Sequence, residues 1–290
     1  MKVAIYGQYY QNSTEPIIRD IFVFFNTNNV DMIVEASFLK LLQEKKIIEK
    51  DYATFSNHTE LDATFDMFIS IGGDGTILRA ATFVRKSNIP ILGINAGRLG
   101  FLASIQKENI DAFLKMVIEK KYTISPRTLL SLSCSPSNSD IQNINFAMNE
   151  ITVSRKDTTS MITIETYLND EYLNSYWADG LIISTPTGST GYSMSCGGPI
   201  LTPNVKSLVI TPIAPHNLNA RPLVIPDETE IRLKVSGREE NYLVSLDSRI
   251  ASIQKESILI IKKTSFKEIP EETFLKTLRN KLLWGEDKRN

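Results

Sequence analysis

The sequence has little cysteine, little histidine and almost no net charge. Two cysteines, Cys134 and Cys196, stand among 290 residues, so the fold cannot rest on a disulfide framework, and we expect both to be reduced thiols. No Cys/His spacing indicates a zinc site. Because 32 basic residues are balanced by 33 acidic ones, the formal charge of −1 gives no net attraction to nucleic acid or to an anionic membrane.

Long apolar runs are also missing. Residues 1–8 contain no extended apolar segment of the signal-peptide type, and nowhere do about 18 apolar residues follow one another. We therefore expect a cytoplasmic protein that is neither secreted nor inserted in a membrane, with no nucleic-acid and no membrane partner. The composition, 42% hydrophobic and 22% charged, is that of an ordinary globular chain with room for two domains.

The stretch from Phe65 to Val84 has the strongest local pattern. Seven residues of mostly apolar character run into Gly72-Gly73-Asp74-Gly75-Thr76, and apolar residues at helical spacing follow from Ile77. This order predicts a strand, a tight loop and a helix. Glycines let a phosphate approach the main chain, and the start of a helix attracts anions, so the loop is typical of a phosphate site.

Asp74 is the one side chain of this loop that can act as an acid or a base. A carboxylate repels phosphates unless it has a compensating task, such as holding Mg²⁺ or accepting a proton from an attacking hydroxyl. The alternative is a plain turn in which Asp74 only caps the helix. The local pattern leaves these two interpretations equally open.

Strands and helices alternate through the first 122 residues. The segments rich in apolar and β-branched residues predict these strands, beside the one at Phe65–Ile71: Val3–Tyr6, Asp31–Val34 and Ile89–Ile94. The helical spacings predict these helices: one opened by Thr14-Glu15-Pro16, one over Phe38–Ile48 and one over Ile110–Ile118. Such alternation indicates a parallel, helix-covered sheet, whose ligands bind beyond the carboxyl ends of the strands.

From about residue 123 short strands replace this alternation. The candidates are mostly rich in Val, Ile, Thr and Leu and are separated by turn residues such as Asn169-Asp170, which indicates an all-β unit. They are Thr128–Ser133, Ile151–Arg155, Met161–Tyr167, Leu181–Ser184, Leu208–Thr211, Glu230–Val235, Tyr242–Leu246 and Ile258–Ile261. The serine-rich segment Ser131–Asp140 is predicted to be a mobile loop, and the spacing from Phe274 to Leu283 predicts a last helix.

A second stretch rich in small residues runs from Asp179 to Pro199. It holds five glycines and seven serines or threonines among 21 residues, so it can offer many small donors and a close main-chain approach to a polar ligand. A plain surface loop is the alternative. The length of the stretch and its tyrosine, Tyr192, favour a binding loop.

The chain resembles the NAD kinase family in four motifs. They are Gly72–Thr76, the turn Asn95–Phe101, the pair Asn149-Glu150 and the stretch Asp179–Pro199, which occur in the family's order and approximate spacing from about residue 65 to 250. The Gly-Gly-Asp element is weakly specific, because diacylglycerol kinases, sphingosine kinases and phosphofructokinases share it. The Thr-Pro-Thr-Gly-Ser-Thr run combined with Asn-Glu is strongly specific.

This resemblance implies the transfer of a phosphoryl group to the 2′-hydroxyl of the adenosine ribose of NAD, which gives NADP. The implied phosphoryl donor is ATP, with polyphosphate as the second option. The implied cofactor is a divalent cation, with Mg²⁺ as the first candidate. Asp74 would be the general base. The residues implied to lie along phosphates or ATP are Gly72, Gly73, Gly75, Thr76 and Arg98, and for Arg98 a place on the surface of a tight turn is equally open. No metal ligands are assigned.

The resemblance also implies a set of NAD-binding residues. They are Gly75, Phe101, Asn149, Glu150, Asp179, Thr187, Thr190, Gly191, Tyr192, Ser195 and Asp247. The chain departs from the family at three positions: Gly191 replaces a common alanine, Ser248 a frequent glycine, and Trp177 an arginine of several relatives. The loss of that cation leaves the choice between oxidised and reduced dinucleotide open.

The fold class expected is therefore α/β plus all-β. A Rossmann-like domain with a parallel sheet would cover residues 1–122, with residues 265–290 and the last helix returning to it, and a β-sandwich-like NAD-binding domain would cover residues 123–264. The family fold would place the active site between the domains, and a homodimer or homotetramer is implied. Two other functions are weighed: a lipid kinase of the diacylglycerol or sphingosine type, and a non-catalytic sensor that binds NAD or NADP.

Overall fold

A computed structural model of the chain describes residues 1–9, 14–97, 100–103, 105, 109–156 and 160–268. The chain divides into two compact units: the first comprises Met1–Pro126 and takes up the chain again from Phe266, and the second is Arg127–Ser265. The sequence places the corresponding boundaries at residues 122 and 264. The predicted last helix lies outside the described residues.

The first unit is built on a parallel sheet of five strands in the order β5-β4-β1-β2-β3. The strands are β1 Lys2–Gly7, β2 Asp31–Glu35, β3 Ala53–Phe55, β4 Met67–Gly72 and β5 Ile91–Asn95. Strands β4 and β5 are buried along their whole length, as expected for parallel strands that helices cover. The predicted Rossmann-like arrangement is confirmed.

Four helices accompany this sheet and share its core. They are α1 Thr14–Thr27, α2 Ala36–Glu44, α3 Asp74–Val84 and α4 Ile110–Ile118. Helix α2 is shorter than predicted and excludes Ile48, because the chain turns into a left-handed conformation at Lys46, with a φ of 55°. Ile48 is buried all the same, which explains why it fits the apolar pattern.

The second unit is antiparallel and made of two sheets. Its elements are β6 Ser125–Ser135, α5 Ser139–Asn143, β7 Phe146–Ala147, β8 Glu150–Arg155, β9 Ile162–Leu168, β10 Glu171–Ala178, β11 Gly180–Ser184, α6 Tyr192–Ser195, β12 Ser207–Ile213, β13 Leu223–Pro226, β14 Ile231–Ser236, β15 Asn241–Leu246, β16 Arg249–Gln254 and β17 Ile258–Glu268. One sheet has the order β13-β12-β11-β8-β15-β16, and β10-β9-β14-β17 are neighbours in the other. Apolar residues of both sheets form one core, so the predicted β-sandwich-like fold is confirmed.

The predicted mobile loop at Ser131–Asp140 is wrong. Strand β6 continues to Ser135, because buried Leu130 and Leu132 alternate with serines that face outward. Farther on, the side chain of Asn138 accepts hydrogen bonds from the N–H groups of Asp140 and Ile141 and so caps α5. The serines indicate one exposed face of a strand rather than an irregular segment.

Candidate functional site

The glycine cluster of the first unit is a shorter loop than predicted. Helix α3 begins at Asp74 with Gly73 as its N-cap residue, so Asp74, Gly75 and Thr76 form the first helical turn. The interpretation of Asp74 as a plain cap is wrong, since Asp74 lies inside the helix and Gly73 precedes it. The position places a carboxylate at the positive end of the helix, directly beyond the carboxyl end of β4.

The carboxylate of Asp74 is held by the main chain of a second turn. Its Oδ2 accepts a hydrogen bond from the N–H of Phe101 at 2.8 Å, and its Oδ1 accepts from Leu102 at 3.0 Å and from Ala103 at 3.1 Å. A Cβ at Gly100 would lie 1.8 Å from Oδ1, so any other residue at position 100 would displace the carboxylate or the turn. The first unit thus holds Asp74 through three backbone donors.

The main chain beside Asp74 is open. No described atom would lie within 4 Å of a Cβ added at Gly73 or at Gly75, so a ligand can approach the backbone there. Thr76 is different, because its side chain is fully buried and its hydroxyl donates to Gln8 Oε1 at 3.2 Å. Arg98 lies outside the described residues.

The second unit has a turn, Met148–Glu150, whose backbone is fully hydrogen-bonded. The carboxylate of Asp247 accepts from the N–H groups of Met148 at 3.1 Å, of Asn149 at 2.8 Å and of Glu150 at 3.3 Å. Thr185 donates two hydrogen bonds to the turn: its hydroxyl donates to the carbonyl of Met148 at 2.6 Å, and its N–H donates to the carbonyl of Asn149 at 2.9 Å. The N–H of Asp247 donates to the carbonyl of Glu150 at 3.0 Å.

Two side-chain atoms of this turn are left without partners. Among the described residues, no group is hydrogen-bonded to the buried Oδ1 of Asn149 or the buried Oε2 of Glu150. Buried polar atoms are rarely unsatisfied, so both indicate a ligand or water that would supply donors. A Cβ at Gly191 would lie 3.0 Å from Glu150 Oε2, so the missing side chain keeps space beside the carboxyl group.

The pKa of Glu150 is raised to about 8. Burial is the main cause, the charge of Asp247 adds to it, and a hydrogen bond from the N–H of Tyr192 opposes it. Burial also raises the pKa of Asp247, against the three backbone N–H groups and the charge of Arg249, which lower it. Glu150 is therefore largely protonated at neutral pH and can both donate and accept a hydrogen bond.

The stretch Asp179–Pro199 is mostly ordered structure rather than a surface loop. Strand β11 is followed by a 3-10 turn, Thr187–Thr190, and by α6. Most hydroxyls are used inside the fold: Ser189 donates to the carbonyl of Pro186, Thr190 to that of Thr187, and Ser193 is paired with Thr211. These three hydroxyls are therefore used within the fold and are not among the small donors that the stretch was expected to offer to a ligand.

The remaining predicted residues of the second unit lie around this stretch. Tyr192 and Ser195 are exposed, whereas Thr187 is buried. Asp179 is partly exposed and pairs with Arg155, whose Nη1 lies 2.9 Å from its Oδ1. The carboxylate of Asp247 is directed at the backbone of the Met148–Glu150 turn.

Three residues that shape the two turns were not predicted. Gly100 and Thr185 lie within recognised motifs, yet nothing in their local pattern shows what they touch. Gly188 is a third, because a Cβ there would lie 2.0 Å from the carbonyl oxygen of Asn149. The sequence did contain a sign of this close approach, because a glycine at position 188 interrupts a run of serines and threonines.

Metal-ligating side chains are not clustered in the part of the chain that the structure describes. No group of three or more His, Cys, Asp or Glu side chains is placed there to hold a metal ion. None of the described helices is long and apolar enough to cross a membrane.

Comparisons with known proteins agree along the whole chain. A family model described as ATP-NAD kinase N-terminal domain matches residues 3–122, and one described as ATP-NAD kinase C-terminal domain matches residues 148–269. An NAD kinase of Flavobacterium johnsoniae is 74% identical over 294 residues and one of Bacteroides fragilis is 41% identical over 293 residues, each with 100% of both chains covered.

Solved structures show the same architecture. An NAD kinase from Archaeoglobus fulgidus in complex with ATP is 25% identical, with a TM-score of 0.74 over 98% of this chain and 99% of that one. Yeast NADH kinase complexed with NADH is 23% identical, with a TM-score of 0.87 over 99% of this chain and 89% of that one, a likeness of fold. From the two domain matches and the full-length relatives, the chain belongs to the NAD kinase family.

Proposed function

We propose that this chain transfers a phosphoryl group from ATP to the 2′-hydroxyl of the adenosine ribose of NAD, with Asp74 as general base. Within a member of the NAD kinase family, the observation that carries this proposal is the placement of Asp74. Its carboxylate is fixed by three backbone N–H groups beside the open main chain of Gly73 and Gly75. A base and a phosphate-accessible backbone thus lie side by side.

The hydrogen bonds of Asp74 leave it able to accept a proton. Its Oδ2 takes one backbone donor, so a further lone pair is available for a ribose hydroxyl. Phosphoryl transfer depends mainly on positioning and charge stabilisation, to which a base adds a factor of about 10²–10⁴. A carboxylate already held by three backbone donors suits that task, because little reorganisation is needed at the moment of transfer.

Asn149 and Glu150 are proposed to bind NAD. Their unsatisfied Oδ1 and Oε2 can accept hydrogen bonds from hydroxyl or amine groups of a dinucleotide. Gly191 keeps the adjoining space open, and Phe101, Asp179, Thr187, Thr190, Tyr192 and Ser195 complete the proposed set with Gly75. For Asp247 the inward direction of its carboxylate supports a role in holding the turn rather than in touching NAD.

ATP is proposed to lie along Gly72, Gly73, Gly75 and Thr76, in part through their main chain. Helix α3 directs its free N–H groups toward this place, which suits phosphates. Mg²⁺ fits an arrangement with few protein carboxylates, since it is typically bound through one or two of them and the substrate's phosphates. When bound, it would neutralise charge on the transferred group.

The experiment that tests this function mixes the purified chain with NAD, ATP and Mg²⁺ and measures NADP. Formation of NADP is expected, and the same reaction with polyphosphate tests the second donor. Binding of NAD without product would favour the sensor, and phosphorylation of a lipid diol in place of NAD would favour the lipid kinase. Light scattering tests the proposed homodimer or homotetramer against the 32.6 kDa chain mass, and cell fractionation tests the proposed cytoplasmic location.

A further inference from the structure

Arg249 lies beside the Asp247 carboxylate and contacts the segment that precedes the Met148–Glu150 turn. Its guanidinium Nη1 donates to the carbonyl of Ile144 at 3.1 Å, and its Nη2 donates to the carbonyl of Phe146. The same Nη2 lies 3.5 Å from Oδ2 of Asp247. One side chain therefore reaches two backbone carbonyls and a carboxylate.

The chemistry of this contact set requires arginine. A planar guanidinium has five N–H donors in a fixed fork, whereas a lysine ammonium is a compact charge that cannot span the three acceptors. The carbon of the guanidinium also lies 5.3 Å from the centre of the Phe146 ring, within the range of a cation–π contact. With 24% of its side chain exposed, Arg249 is more than three-quarters buried.

The Asp247 carboxylate links Arg249 to the turn. It accepts hydrogen bonds from the N–H groups of Met148, Asn149 and Glu150. Segment 144–150 is therefore held at two places: Arg249 donates to two of its carbonyl groups, and Asp247 accepts from three of its N–H groups. A buried carboxylate that lost its cation would be less able to stay ionised and to accept three donors.

We propose that Arg249 is a positioning residue for NAD binding. Through Asp247 and the carbonyls of Ile144 and Phe146 it fixes the backbone that directs Asn149 Oδ1 and Glu150 Oε2. This inference rests on the proposed function, in which those two atoms bind NAD. It assigns a role in substrate affinity to a residue that acts through its neighbours and not by touching NAD.

Arg232 offers a matched control in the same unit. Its guanidinium carbon lies 3.9 Å from the centre of the Tyr167 ring, and its Nε lies 3.4 Å from Oδ1 of Asp170. Its side chain is 28% exposed, close to the value for Arg249. Asp170, however, lies in the turn between β9 and β10 and is not hydrogen-bonded to the Met148–Glu150 turn.

The experiment compares the full-length variants Arg249→Met, Arg249→Lys and Arg232→Met. Calorimetry gives the Kd for NAD, kinetics give the KM for ATP, and hydrogen exchange gives the protection of the amides of residues 144–150. In Arg249→Met we expect a Kd about tenfold higher and faster exchange of these amides, with the KM for ATP within about twofold of wild type. Arg249→Lys should fall between, with a Kd about threefold higher, because it keeps the charge but loses the fork.

Arg232→Met should bind NAD as the wild type does. The proposal is overturned if Arg249→Met binds NAD as tightly as Arg232→Met, or if its amides exchange faster without any loss of NAD affinity. Should Arg249→Met fail to fold, Arg249→Lys decides: wild-type affinity and exchange in that variant would also overturn the proposal. A wild-type chain that does not bind NAD would instead refute the proposed function, which is seen before the variants are compared.

Discussion

Asp74 shows how a single side chain can be fixed without a side-chain partner. Its donors are the N–H groups of three consecutive residues, Phe101, Leu102 and Ala103, which lie 27 to 29 residues farther along the chain. A carboxylate placed in this way keeps one direction, which is what a base needs when the hydroxyl it serves is delivered by a separate binding site. The structural role of Asp74 is therefore compatible with the proposed role of general base.

Replacing Asp74 by asparagine removes the proposed proton acceptor, while the amide oxygen can still accept from Leu102 and Ala103. A side-chain amide at this position cannot accept a proton, so we expect turnover to fall by a factor of about 10²–10⁴ while the Kd for NAD changes little. Steady-state kinetics and calorimetry measure the two quantities. Asp66→Asn is the control, since Asp66 accepts the N–H of Lys2 and pairs with Lys120, away from the glycine cluster. Near-normal turnover of Asp74→Asn would remove Asp74 from the role of base.

Glu150 should make NAD binding depend on pH. Its pKa is about 8 in the free chain, and donors on NAD would stabilise the ionised form and lower that pKa. Binding below pH 8 therefore releases a proton, so the affinity should rise between about pH 6 and 8, by at most about tenfold per unit. Calorimetry over this range measures it, and the slope should vanish in Glu150→Gln. An equal slope in that variant would assign the effect to another group.

Helix α3 is linked structurally to the segment Phe101–Ala103, because the first residue of the helix accepts three hydrogen bonds from it. Gly100→Ala tests this link: a Cβ 1.8 Å from Asp74 Oδ1 must move the carboxylate or the turn. Since a displacement of about 1 Å can cost about 10²-fold in rate, we expect a loss of that order in kcat. Gly97→Ala, where a Cβ would meet no described atom within 4 Å, should lose far less. Equal losses would show that the turn matters for another reason.

Elements with a clear period were predictable from the sequence, and those held by distant contacts were not. The spacing from Ile110 to Ile118 predicts α4 with the bounds that the structure has, and β4 differs from its prediction by one or two residues at each end. Five strands were missed, namely the short β3 and β7 and the longer β10, β13 and β16. Strand β10 mixes polar residues with aromatic ones and has one neighbour in its sheet, so apolar content is a poor guide to it.

The motifs of the sequence indicate the residues of the candidate site, but they do not show which of these residues are hydrogen-bonded to one another. The sequence singles out Asn149-Glu150 and Asp247 separately, 98 and 97 residues apart, and gives no sign that one holds the other. Nor does the sequence show that Thr185 is hydrogen-bonded to the turn, to which it donates through its hydroxyl and its N–H. Hydrogen bonds of this kind depend on tertiary structure, which no local pattern encodes.

Each of the two units has a hydrophobic core of its own. The free energy of unfolding should therefore be considered separately for each unit. The first unit relies on a parallel sheet that is buried between helices. The second encloses its core between two antiparallel sheets, and it also contains a carboxyl group that is buried largely uncharged. Its free energy of unfolding should therefore depend on pH more strongly than composition suggests.

The sign of that dependence follows from Glu150. The ordinary glutamate pKa of 4.5 applies to the unfolded chain and the folded value is about 8, so between these values the unfolded state binds fewer protons than the folded state. The contribution of Glu150 to stability is fully present below pH 4.5 and is lost as the pH rises to about 8, at a rate of at most about 1.4 kcal/mol per unit.

Urea unfolding of the second unit at about pH 5, 6, 7 and 8 should therefore show falling stability, with the slope reduced in Glu150→Gln, whose amide is neutral throughout. With Trp284 replaced by phenylalanine in every variant, the fluorescence of Trp177, which lies in β10, reports on this unit. Glu171→Gln is the control, because Glu171 is an exposed glutamate of β10, the strand that also contains Trp177. If the wild type and Glu150→Gln lose stability equally with pH, the buried carboxyl group is not the cause, and the proton that we assign to Glu150 at neutral pH is not there.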